Sequence, residues 1–161
     1  MTDVLTAAQR QLNMSRIRWR DTKPEMLVRQ GLHARGMRYR LHDRKLPGRP
    51  DLVFPRYGAV VFVHGCFWHA HGCALSKVPA TRRDFWKQKL EGNAARDRNA
   101  VAALRADGWR VLVIWECALR GPARWAEIEV LNMASSWIRH ASPGPLEIAG
   151  KNARRTDRDN E

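Results

Sequence analysis

Acidic residues are scarce in this chain. Its 161 residues carry 16 Asp and Glu against 29 Lys and Arg, for a formal charge of +13. Such an excess repels itself in a compact state, and its usual counterpart is a polyanion, nucleic acid ahead of an acidic membrane surface. Also missing is any run of about 20 apolar residues, so no membrane span is expected. The N-terminal stretch MTDVLTAAQRQLNMSRIRWR lacks the apolar core of a secretory signal, which makes the cytoplasm the expected compartment. Cysteines number three. They cannot all pair within the chain and a reducing compartment disfavours disulfides, so metal binding or burial must account for them. Internal repeats and low-complexity runs are absent.

What is present points to one folded domain. Hydrophobic residues make up 44% of the chain and tryptophans number seven, and the length suits a single core. Arginine supplies 23 of the 29 cations, and its planar fork suits phosphates and base edges better than a lysine point charge does.

The two ends read as appendages: residues 1–21 as a basic arm holding Arg16, Arg18 and Arg20, and residues 142–161 as a polar tail. Between them, 22–141 is the expected domain. Thr22-Lys23-Pro24-Glu25 reads as a capping box opening a helix through Met26, Leu27, Val28 and Leu32 that stops near Gly36. Short strands fit Met37 to Leu41, Asp51 to Phe54 and Gly58 to Val63, the last two joined by a turn at Pro55 to Tyr57. The nearly all-apolar third strand should be central. An irregular loop follows from His64 to Ala80, then a helix from about Asp84 to Ala106, a turn at Asp107-Gly108, a buried strand from Arg110 to Trp115 and a last helix from about Arg124 to Arg139. This order predicts an α/β fold with a mixed central sheet flanked by helices.

Three constellations could carry chemistry. Cys66-x4-His71-x-Cys73, with Cys117 far downstream, offers the thiolates and imidazole that zinc prefers in closed four-ligand sites. His64 and His69 compete with His71 as ligands, and Cys117 could instead be a small buried residue. Arg49-Pro50-Asp51 places a carboxylate at the start of a strand facing the strand Gly58 to Val63, an arrangement suited to a divalent metal at a sheet edge, or to a turn-capping aspartate. Restriction-type nucleases pair such an aspartate with an acid-x-Lys, but here the corresponding place reads Val63-His64-Gly65. A nuclease would need another base, and His64 or His69 could supply it because imidazole titrates near neutral pH. On the long helix, Trp86, Leu90, Ala94, Asp97, Val101 and Leu104 fall on one stripe with Asp97 in its middle, so Asp97 should be buried and meet a histidine, an arginine or a metal's water. Glu25 shares the ambiguity of Asp97, with its place in the capping box the leading explanation. Phe67 and Trp68 lie in a polar loop among cations, where they could stack on bases, wedge between base pairs or pack over the zinc site, and Trp86 in the first helical turn could project past the sheet.

LPGRPDLVF, FVHGCFWHAHGC, KVPATRRDFW and GWRVLVIWECALRG together resemble the very short patch repair (Vsr) DNA mismatch endonucleases, over about Asn13 to Gly121. The resemblance implies a restriction-endonuclease-like fold of the PD-(D/E)xK type, a three-layer core with a zinc-bound loop. It also implies a magnesium-dependent enzyme, using two ions, that nicks one strand of duplex DNA beside a T:G mismatch left by deamination of 5-methylcytosine. In its terms Asp51 and the backbone carbonyl of Val63 hold magnesium and His69 is the general base. Glu25, His64 and Asp97 surround the metal's waters. Cys66, His71, Cys73 and Cys117 hold structural zinc. Phe67, Trp68 and Trp86 wedge into the duplex, while the arm with Arg16, Arg18 and Arg20 follows the minor groove. The family often has threonine where this chain has Val63, so a carbonyl ligand survives and a hydroxyl does not. A monomer associated with the bacterial nucleoid when acting, with mismatch-repair proteins as possible partners, completes the expectation. The rivals are a restriction-type endonuclease acting on matched DNA and a zinc-containing DNA-binding module that has lost catalysis.

Overall fold

The computed structural model describes residues 5–15, 20–141 and 144–151. The order is α1 (Ala7–Ser15), α2 (Lys23–Ala34), β1 (Arg40–Leu41), β2 (Leu52–Phe54), a 3-10 turn (Pro55–Tyr57), β3 (Ala59–His64), α3 (Arg83–Ala106), β4 (Arg110–Trp115), a second 3-10 turn (Glu116–Ala118), α4 (Glu127–Arg139) and β5 (Leu146–Ile148). The five strands form one sheet in the order β1-β2-β3-β4-β5. β1–β2 and β2–β3 pair antiparallel, and β3–β4 and β4–β5 parallel. The sheet is mixed and the apolar β3 is its middle strand, as the sequence predicts.

Alternation along the strands divides the core into two layers. Leu52, Phe54, Ala59, Val61, Leu112 and Ile114 pack with Val28 and Leu32 of α2 and with Val130, Ala134, Trp137 and Ile138 of α4. On the opposite face Val53, Val60, Phe62, Val111, Val113 and Trp115 pack with Leu104 of α3. Helices therefore cover both faces, giving three layers. Among the described residues no helix is long and apolar enough to cross a membrane.

Several boundaries differ from expectation. The first strand shrinks to Arg40–Leu41, because Met37 is taken into the core beside α2. Gly58 leaves the strand to end the 3-10 turn at φ 60°, a conformation glycine adopts without steric cost. α4 starts at Glu127 rather than near Arg124, since the Trp125 N–H is committed to the Ala118 carbonyl at 2.9 Å. Neither end is wholly an appendage. Within 1–21, Thr6 and Gln9 cap α1 reciprocally, Gln9 N–H to Thr6 Oγ1 at 3.1 Å and Thr6 N–H to Gln9 Oε1 at 2.8 Å. Beyond residue 141, β5 extends the sheet alongside β4. Arg16 and Arg18 lie outside the described residues.

Gly48 in LPGRP has a clear physical reason. Its φ is 72°, and a Cβ there would sit 2.7 Å from Ala100 Cβ and 3.2 Å from the Phe62 ring. Only glycine lets this loop turn and press onto β3 and α3 at once, which delivers Asp51 to the start of β2.

Candidate functional site

Parallel pairing of β3 with β4 puts His64 opposite Trp115 at the carboxyl ends of both strands. β2 runs the other way, so its first residues reach the same edge of the sheet. Two clusters of ligand-bearing side chains gather there.

The first is built around Asp51. Its Oδ2 accepts the Val63 N–H at 2.7 Å, which fastens the start of β2 to the end of β3. Burial pushes its carboxyl up to about 7 against the opposing pull of the Val63 hydrogen bond, and the nearby charge of Glu25 adds to the rise. Glu25 is 1% exposed. The expected capping box is only half formed: Thr22 Oγ1 accepts the Glu25 N–H at 3.4 Å, but the Glu25 carboxylate takes the Asp21 N–H at 2.7 Å and faces inward to His42, with Oε1 2.6 Å from Nε2. Two neighbouring carboxylates with little water form a donor set that calls for a cation, so a hard divalent metal fits here.

Next along the edge, His64 and His69 stack with ring centroids 3.8 Å apart and an interplanar angle of 3°. Burial, and then the neighbouring His69, hold His64 well below the ordinary imidazole range. His69 Nδ1 lies 2.5 Å from Asp97 Oδ2. An ionised carboxylate only accepts, so Nδ1 carries the proton in this pair and Nε2 is left as the acceptor. Asp97 thus meets a histidine, as expected, but its side chain is 29% exposed rather than buried.

The second cluster is Cys66, His71, Cys73 and Cys117, whose ligand atoms lie within 4.8 Å of one another. This picks His71 from the three loop histidines as the partner of the cysteines, with Nδ1 3.5 Å from Cys117 Sγ. Backbone N–H groups already point at sulfur, Cys117 N–H to Cys66 Sγ and Gly150 N–H to Cys117 Sγ, both at 3.3 Å. Burial pushes the thiols of Cys66 and Cys117 up, while at Cys73 hydrogen bonds, first from Ser76, outweigh burial and bring the thiol down. Three crowded thiols cannot all ionise without a cation, so the cluster fits a metal that neutralises them. Trp115 ties the two clusters together. It stacks on His71 at 4.1 Å and meets His64 edge-on at 5.3 Å.

An aromatic patch flanks the site. Phe67, Trp68 and Trp86 are mutually in contact at centroid distances of 5.0 to 6.0 Å. The loop pair therefore meets Trp86 at the start of α3, and Asn93 Nδ2 holds the Trp68 carbonyl at 3.1 Å. Lys89 Nζ lies 5.8 Å from the Trp68 ring and Arg82 is 4.3 Å from that of Phe85, so the patch combines π-faces with cations. Arg20 is exposed.

Sequence reasoning passed over His42, Asp21 and Arg29. Strand register could have found the first, since Leu41 opposite Leu52 puts His42 beside Asp51. Arg29 holds Asp21 at 2.7 Å and lies 3.6 Å from Glu25.

Comparison with known proteins bears on the chemistry. Residues 2–75 match the family model described as DNA mismatch endonuclease Vsr. The chain is 46% identical over 138 residues to the DNA mismatch endonuclease Vsr of Escherichia coli strain K12, covering 86% of this chain and 88% of that one. It is 51% identical over 119 residues to the type II nicking enzyme V.XorIIP of Xanthomonas oryzae pv. oryzae, covering 74% and 88%, and 42% identical over 123 residues to the type II nicking enzyme V.NmeAIP of Neisseria meningitidis, covering 76% and 88%.

Proposed function

The chain belongs to the DNA mismatch endonuclease Vsr family and is a DNA mismatch endonuclease, and we propose that it nicks one strand of duplex DNA beside a T:G pair arising from deaminated 5-methylcytosine. The observation that carries the mechanism is the His69 Nδ1–Asp97 pair, set next to His64 on the strand whose Val63 N–H fastens Asp51.

Asp51 and the Val63 carbonyl would hold magnesium, two ions serving the site. When bound, magnesium supplies positive charge to the scissile phosphate and to the departing oxygen. Asp97 fixes the His69 tautomer, so that Nε2 takes a proton from the attacking water as its oxygen bonds to phosphorus and the bond to the leaving sugar oxygen breaks. His64, buried and held neutral, keeps the His69 ring plane by stacking. Glu25 and Asp97 add negative charge around the metal. With Val63-His64-Gly65 at the end of β3 where an acid-x-Lys would stand, this histidine takes the place of a lysine.

Cys66, His71, Cys73 and Cys117 hold zinc in a structural role, locking the loop that carries Phe67, Trp68 and His69 to the end of β4. Phe67, Trp68 and Trp86 wedge into the duplex beside the mismatch. A wobble pair costs less to unstack than a matched one, so the wedge also selects. Arg16, Arg18 and Arg20 follow the minor groove. All these groups come from one chain, which supports a monomer that cuts one strand.

Asp51→Ala and His69→Ala are each expected to abolish nicking of a T:G duplex while leaving circular dichroism and zinc content unchanged. Full activity in His69→Ala would overturn the base assignment. Freshly purified protein that holds no zinc by elemental analysis would overturn the structural site.

A further inference from the structure

His42 follows β1 directly and lies where α2 and β2 bring two carboxylates together. Its N–H donates to the Asp51 carbonyl at 3.2 Å. Its Nε2 is 2.6 Å from Glu25 Oε1 and 3.9 Å from Asp51 Oδ1. Among the described residues it is the side chain that reaches both. Glu25 and Asp51 belong to different elements and repel one another when ionised, so packing alone does not set their separation. Moreover, His42 holds this place at φ 45°, a left-handed conformation that residues with a Cβ seldom adopt. The surrounding structure keeps it there.

Asp21, Glu25 and His42 also bring ligand atoms within 4.8 Å of one another. A further metal site is excluded by Arg29, whose NH1 is 2.7 Å from Asp21 and 3.6 Å from Glu25. The cation of that cluster is a guanidinium already in position.

We propose that His42 is a positioning residue of the nuclease centre, bridging Glu25 and Asp51 so that the two carboxylates face the metal at a fixed spacing. The proposal rests on the magnesium-dependent reading of Asp51 above. Its role is geometric: the backbone N–H aligns the Asp51 main chain, the ring turns the Glu25 carboxylate, and neither touches DNA or the reacting phosphate.

The test uses the full chain and two variants. Asparagine tolerates positive φ but is too short to reach Glu25; glutamine restores a donor at nearly the reach of Nε2. In His42→Asn, kcat on a T:G duplex should fall about 10- to 100-fold with KM for DNA within about twofold. Mg²⁺ affinity, measured by calorimetry without DNA, should weaken about tenfold. His42→Gln should recover most of both. A role in stability alone would lower the melting temperature of both variants and leave the Mg²⁺ affinity and kcat of the folded protein unchanged, which overturns the proposal. A rise in KM alone would also overturn it, by making His42 a DNA contact. Wild-type protein that neither binds Mg²⁺ nor nicks would sink the functional reading itself.

Discussion

Asp51 should cost this protein stability whenever magnesium is absent. Its carboxyl stays protonated up to about pH 7 in the fold, against an ordinary 3.8, chiefly because it is buried. The folded state therefore holds a proton that the unfolded chain has released, and stability falls as pH rises from about 4 to about 7, then levels off. At 1.36 kcal/mol per pH unit the full penalty is about 4 kcal/mol, and at pH 5 it is still under about 2 kcal/mol. Asp51→Asn removes the ionisation and keeps an acceptor for the Val63 N–H. At roughly 2–4 °C per kcal/mol for a chain of this size, the variant should melt about 8–16 °C above wild type at pH 8 without Mg²⁺. The gap should shrink by more than half at pH 5 and close when Mg²⁺ is added, because only wild type binds it. Differential scanning calorimetry across pH checks all three. A variant no more stable than wild type at pH 8, or a gap that ignores pH, would refute the reasoning. The same variant should be inactive, an instance of a site kept at the expense of stability.

Three further outcomes follow from the geometry. Asp97→Asn can present an amide N–H to His69 Nδ1 and so move the imidazole proton to Nε2; steady-state kinetics should show kcat lower by on the order of 10²- to 10⁴-fold with little change in KM. Gly150→Ala would put a Cβ 2.9 Å from the Cys117 carbonyl and push on the N–H that caps Cys117 Sγ; chelator competition should show faster zinc loss, with about 1–3 kcal/mol of stability lost on denaturant titration. Trp86→Ala should weaken T:G duplex binding by about 1–3 kcal/mol in fluorescence anisotropy, one stacking contact's worth, and narrow the preference over matched DNA.

Much of the scaffold was legible in the sequence because its signals are local. β4 is Arg110–Trp115 as read, since five consecutive apolar residues, Val111 to Trp115, soon after Asp107-Gly108 admit little else, and α3 misses by one residue. α1 went unseen because it is nine residues long and lies in a stretch read as a polar arm, although Thr6-Ala7-Ala8-Gln9 spells its capping box. β5 is three residues long and gains its meaning only from β4, a partner more than thirty residues away in the chain. At the candidate site, residue chemistry singled out Asp51, the cysteines and Asp97 as candidates, although Asp51 also read as a turn cap and Asp97 as half of an internal salt bridge. Which histidine goes where depends on how the 65–82 loop closes, and spacing could not decide among His64, His69 and His71. His42 was hidden because its role exists only across a strand register, and the inward turn of Glu25 was hidden behind a capping box that explained it well enough.

What the protein does to a single wobble pair is the most direct measure of its activity. Labelled duplexes carrying T:G, T:A or C:G at one position, incubated with protein and Mg²⁺ and resolved on denaturing gels, should yield one nick, in one strand, next to the T:G pair alone. Cleavage of both strands in matched DNA, or binding of the T:G duplex without any nick, would contradict it.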